Sequence, residues 1–178
     1  MELQSSSRYL AAMTAEMDPR WAILVNFDPA TSQWVPMSLK ELERSAEVWS
    51  ALVPEYLNAK GPVSLLRMSR SLFIHSWSDY DFMVIACLVS LQALEAGFRE
   101  RYDKISCSKP LEYFIKHAAK VGELSPRDVE TLDAGREIRN DLAHPKMQSS
   151  ITLGMATPII SISHRLVVQL LATERPAD

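Results

Sequence analysis

Residues 79–102 read DYDFMVIACLVSLQALEAGFRERY. Positions 82–89 are apolar on every side, which fits a helix buried among others and not one lying on a surface. With Ser78 and Asp81 as a capping pair ahead of it, the stretch predicts one long helix over about Asp79–Tyr102, roughly 36 Å at 1.5 Å per residue. Such a helix needs neighbours, and the chain supplies them on both sides. Upstream, Ser38 with Glu41 forms another capping box, and Leu39, Leu42, Ala46, Trp49 and Val53 recur at three- and four-residue steps. A further helix is predicted within Val63–Trp77, after the Gly61-Pro62 break. Downstream, Ser108-Lys109-Pro110 starts a helix with Leu111, Phe114, Ile115 and Ala118 on one face and Gly122 at its C′ position. Ser125-Pro126 with Asp128 opens the next, running to about Ala143 before Pro145 stops it. A last helix covers about Leu153–Thr173, with Pro158 in its first turns. Short connections between these elements predict an all-α fold, an antiparallel helical bundle.

The first 37 residues differ. Trp21 to Phe27 is rich in aromatic and β-branched residues, Asp28 to Ser32 is turn material, and Gln33 to Met37 returns to Trp and Val, so a short β-hairpin is expected. Its tryptophans, Trp21 and Trp34, are expected to cover a bundle face. The organisation read from this is a hairpin-bearing segment over 1–37, a lead-in helix over 38–62 and a bundle over 63–174.

At 178 residues one domain is expected, and 19 Lys+Arg against 22 Asp+Glu, a net charge of -3, exclude a protein that coats nucleic acid by bulk charge. Five glycines leave little material for phosphate-cradling loops. Two cysteines, Cys87 and Cys107, make neither a disulfide framework nor a zinc ligand set and fit a reducing compartment. The N-terminus has no apolar leader region and the longest unbroken apolar run is short, so a cytoplasmic protein without a membrane span is expected.

Two charges fall where charges are costly. On a helical wheel of 126–143, Arg139 lies in the middle of the apolar arc that holds Val129, Leu132 and Gly135. On the long helix Val84, Leu88, Leu91 and Glu95 form one stripe, so Glu95 is the simplest partner for Arg139. The local sequence Arg139-Asn140-Asp141-Leu142-Ala143-His144-Pro145 adds chemistry. A residue before proline leaves αR backbone, which carries the His144 imidazole at a frayed helix end, and Asn140 stands four residues earlier, spaced to fix its tautomer. An oriented histidine beside a fixed guanidinium is a tool for phosphate chemistry: one moves a proton, the other gives planar bidentate hydrogen bonds to phosphate oxygens.

Arg139 to His144 resembles the Arg-x4-His motif of the HEPN superfamily, including the Asn after Arg, and Leu91-Gln92-Ala93-Leu94-Glu95-Ala96 is similar to the segment those domains place opposite the Arg. The resemblance covers roughly residues 63–173. It implies a metal-independent endoribonuclease without a cofactor, acting on RNA, in which His144 is general acid or base at the ribose 2′-OH, Arg139 stabilises charge on the phosphate and Asn140 orients His144. Glu95 and Asp141 support these residues, and Lys146 and His164 are possible RNA contacts. A homodimer with a composite site is implied as well, in a setting of toxin or defence effector with an antitoxin or regulatory partner. The chain departs from the Arg-x4-His-x-Tyr pattern of some toxins, having Lys146 at the last position. The alternative is a non-catalytic HEPN-like helical module that binds a protein or nucleotide and uses the same residues to hold its helices.

Other residues carry less. His75 and His117 lack a second ligand at metal-binding spacing, no Gly-x-Ser-x-Gly elbow exists, and the eight methionines read as core filler. Arg99, Arg101 and Lys104 to Lys120 are interleaved with Glu100, Asp103 and Glu112, which predicts a solvated face of mixed charge.

Overall fold

The computed structural model describes residues 16–28, 31–58, 60–102, 109–142 and 151–172. It is mostly helical, with six α-helices among the described residues: α1 (Leu39–Ala51), α2 (Gly61–His75), α3 (Asp81–Arg101), α4 (Leu111–Lys120), α5 (Pro126–Leu142) and α6 (Leu153–Ala172). A two-stranded antiparallel sheet, β1 (Val25–Asp28) with β2 (Gln33–Pro36), precedes them. As its all-round apolarity requires, α3 packs against α2 and α6, and lesser contacts reach α4 and α5. Its Met83, Ala86, Cys87, Leu91, Leu94 and Phe98 belong to one core with Leu42 and Trp49 of α1, Phe73 of α2, Phe114 of α4, Leu132 of α5 and Ile160 and Val167 of α6.

Several helix ends follow from the residues at them. Ser125 and Asp128 exchange backbone-to-side-chain hydrogen bonds at 3.1 and 3.2 Å, a reciprocal capping box in front of α5. Gly122 sits at φ +80°, where its N–H and that of Glu123 return to the Ala119 and Ala118 carbonyls and close α4 in a Schellman motif. The expected capping box at α1, Ser38 with Glu41, is present. Ser38 donates both its backbone N–H (2.9 Å) and its hydroxyl (3.2 Å) to the Glu41 carboxylate. Gly61-Pro62, read as a break before α2, forms its first turn, where a proline lacks nothing the helix uses.

The expected cap at α3 is corrected. The Ser78 hydroxyl donates backwards to the His75 carbonyl at 2.9 Å and so belongs to the end of α2. The free N–H groups opening α3 go to carboxylates instead: Asp81 N–H to Asp79 at 3.1 Å and Tyr80 N–H to Asp18 at 2.9 Å. Asp18 lies in the N-terminal segment, and its own N–H donates to the Trp77 carbonyl at 2.8 Å. Arg20 joins Asp18, Asp79 and Asp81, and its guanidinium holds the Asp18 carboxyl well below the usual carboxylate range. Beside it Trp21 is fully buried in a 3-10 turn, Pro19–Ile23, its ring packed at a tilt against Trp77 and Tyr80 and its indole N–H donating to the Ser76 carbonyl. Trp21 therefore covers the α2–α3 corner from a turn and not from a strand. Trp34 does not cover the bundle: it is exposed on β2.

Two helices, α3 and α6, are long and apolar enough to cross a membrane by length and composition, and about half of each apolar window (56% and 50%) is buried inside the fold. Helices at the core of a bundle meet the same description.

Candidate functional site

Arg139 stands in the last described turn of α5. Its Nη1 donates to Glu95 Oε2 on α3 at 3.1 Å, while the other carboxylate oxygen takes Arg99, one turn along α3, at 2.6 Å. The Glu95 side chain is 12% exposed and that of Arg139 is 40% exposed, so the pair is lopsided. The acid is sheltered and the guanidinium opens outward. Burial of Arg139 is thus less than its wheel position implies, as a long charged side chain can bury its stem and carry its head toward solvent. Only Nη1 is bonded to Glu95, and 40% of the side chain remains exposed. Arg99, read as part of a solvated face, is the second cation on the same carboxylate, a link that i,i+4 spacing within α3 could have indicated.

The neighbouring positions are less fully in view. Asn140 is exposed. Of Asp141 only the backbone is described, and His144 and Lys146 lie outside the described residues. Residues 103–108, Cys107 among them, lie outside them too.

His164, named above as a possible RNA contact, is 0% exposed in the middle of α6. Its Nδ1 lies 2.8 Å from the Ile160 carbonyl and its Nε2 lies 3.1 Å from Arg70 Nη1 on α2, while the ring stacks on Trp49 at 5.7 Å. A guanidinium only donates, so Nε2 accepts and Nδ1 carries the proton toward the carbonyl. The imidazole is neutral, and burial, with Arg70 opposing a second positive charge, pushes its pKa down to about 4. Both nitrogens are occupied within the fold and none is left for RNA. Its polar neighbours gave a false signal, since the Ser163 hydroxyl bonds back to the Ile159 carbonyl at 2.8 Å and is itself buried.

Arg101 also departs from the mixed-charge face expected of it, being buried against Glu123 at 2.9 Å, with Tyr102 hydrogen-bonded to the same carboxylate. Burial and Glu123 together raise the Tyr102 phenol well above its usual range. Cys87 is buried and its thiol is pushed up to about 12 by desolvation, which leaves it unreactive. Among the described residues no group of three or more His, Cys, Asp or Glu is placed to hold a metal ion. A groove of roughly 180 Å³ lies between α5 and α6, lined by Arg127, Thr131, Pro158, Ser161 and the Asp128–Arg165 ion pair. It opens near the start of α5, about three helical turns from Arg139, too far to share a substrate group with that guanidinium.

No family model, curated protein or solved structure matches the chain. The functional reading therefore rests on the residues themselves.

Proposed function

We propose that the protein is a metal-independent endoribonuclease of HEPN type, working as a homodimer on RNA. The observation that carries the reading is the lopsided pair at the end of α5: a guanidinium fixed at one edge by the sheltered Glu95 and open at the other, in the sequence Arg139-Asn140-x3-His144. A guanidinium anchored in this way is preorganised for phosphate oxygens and needs no rearrangement as charge grows on them. In the proposed reaction the ribose 2′-oxygen attacks the adjacent phosphorus and its proton goes to the His144 site. The bond from phosphorus to the 5′-oxygen breaks, and a proton from the same site completes the leaving 5′-OH. The products are a 2′,3′-cyclic phosphate and a 5′-OH, with no metal in the balance. Purified protein should cut RNA in EDTA, and His144→Ala should lower the rate by about 100- to 10,000-fold, the usual worth of a positioned acid–base group. Cutting that persists in His144→Ala would sink the proposal.

One observation favours the second reading, a non-catalytic binding module. Glu95 ties α3 to α5 through Arg139, which is also what a purely structural link would do. RNA left intact, with protein or nucleotide binding weakened by Arg139→Ala, would establish it. A role as toxin or defence effector with an antitoxin partner belongs to the first reading only.

A further inference from the structure

Arg70 of α2 stands apart from the other arginines that the fold shelters. Among the described residues the buried Arg101 and the half-buried Arg136 and Arg139 each reach a carboxylate, at 2.9, 3.4 and 3.1 Å. Arg70 is half-buried as well, yet among the described residues no carboxylate pairs with it, and its Nη1 donates to a neutral ring nitrogen, His164 Nε2, at 3.1 Å. The charge that acts on it has its own sign. Arg67, exposed and three residues earlier on the same face of α2, donates to the Asn58 carbonyl at 3.3 Å and adds to the burial that lowers the Arg70 pKa from its ordinary value. A sheltered cation beside a second cation is costly without a counter-ion. His164 gives a hydrogen bond but no opposing charge. What it does give is position: the ring is locked by the Ile160 carbonyl at 2.8 Å and by its stack on Trp49 of α1, so the guanidinium it holds is fixed at one corner.

We infer that Arg70 and Arg67 form a binding site for a phosphate group, free or carried by a mononucleotide, on the α1–α2–α6 side of the bundle. Two guanidiniums without a carboxylate match a dianion, and the phosphate oxygens take the paired, planar hydrogen bonds that arginine offers. Arg70 is the anchored member, since His164 sets its direction before the anion arrives. Arg67 is the adaptable one, at the mouth of the site. The inference does not rest on the ribonuclease reading, because Arg139 joins α5 to α3 and takes no part here.

Isothermal titration of the full chain carrying Arg139→Ala tests this, because that background removes the guanidinium proposed to meet RNA. Inorganic phosphate at neutral pH should bind saturably with a Kd on the order of 1 mM, the range of a small ion with few contacts. Adding Arg70→Gln, which keeps an N–H donor for His164, should weaken binding about tenfold or more, with helical circular dichroism unchanged. Adding Arg67→Gln, at an exposed position that the fold does not depend on, should weaken it by about three- to tenfold. Arg127→Gln, an exposed arginine of α5, should leave it as in the background. Adenosine 5′-monophosphate titrated alongside separates the sources: tighter binding than phosphate assigns the site to nucleotides, and equal or weaker binding assigns it to the free ion. No saturable binding of either up to about 20 mM overturns the inference, as does binding that neither Arg70→Gln nor Arg67→Gln weakens.

Discussion

Arg139 of α5 reaches Glu95 of α3 at 3.1 Å and remains 40% exposed, whereas the acid it meets is 12% exposed. Removing one partner from a fully buried ion pair typically costs about 3–5 kcal/mol, because a charge is left stranded. Here Arg99 keeps a cation on Glu95 and solvent screens the other, so Arg139→Ala should cost about 1 kcal/mol or less in urea unfolding. The same substitution should abolish RNA cutting. Activity and stability then separate, which a merely structural arginine would not allow.

Acid should weaken the fold through His164. Its folded pKa of about 4 lies below the value near 6.5 of an unfolded chain. Below about pH 6.5 the unfolded state therefore takes up a proton that the folded state refuses. The contribution is complete above that pH and is lost as pH falls toward 4, by an amount on the order of 3 kcal/mol. His164→Gln should flatten this slope in urea midpoints measured from pH 7 to 4. An unchanged slope would show that another group sets it.

Gly135 is buried where α5 packs against α3 and α6. A Cβ there would meet Leu91 at 3.4 Å and Ile159 at 3.5 Å, tight but ordinary contact. Gly135→Ala should be neutral to stabilising, by up to about 1 kcal/mol, since helix propensity gains what little the packing loses. Gly135→Val should destabilise by about 1–3 kcal/mol because its branches have nowhere to go. Thermal melts of the two variants should move in opposite directions or diverge by several degrees.

The two N-terminal tryptophans should behave unlike each other. Trp21→Ala empties a fully buried site and removes the indole hydrogen bond to Ser76, for about 3–5 kcal/mol. Trp34→Ala loses mainly its contact with Phe27 and should cost about 1 kcal/mol. Chemical denaturation of both variants measures the contrast directly.

Elements whose signals are local were readable from sequence. The apolar faces of α4 and α6, the Gly122 terminus and the Ser125–Asp128 box depend on residues within a few positions of one another, and each is found where the pattern puts it. The stripe ending in Glu95 and the wheel position of Arg139 were enough to bring that pair together. What sequence misplaced was decided at long range. Ser78 lost the α3 cap to Asp18, some sixty residues away, and His164 sank because Arg70 and Trp49 on two other helices supply its surroundings. The tryptophans divided for the same reason: only Trp21 meets a corner shaped by residues 76–80.

The cap that Asp18 gives to α3 also sets an order of events. The acceptor precedes its donor, Tyr80, by 62 positions, and the corner it grips exists only after α2 and α3 have come together. Closing so long a loop is slow compared with forming a helix. The stretch around Asp18 and Trp21 is thus among the last to settle, and in stopped-flow refolding the fluorescence of Trp21 should trail the far-ultraviolet helical signal. Docking of the hairpin is a report that the bundle behind it is finished.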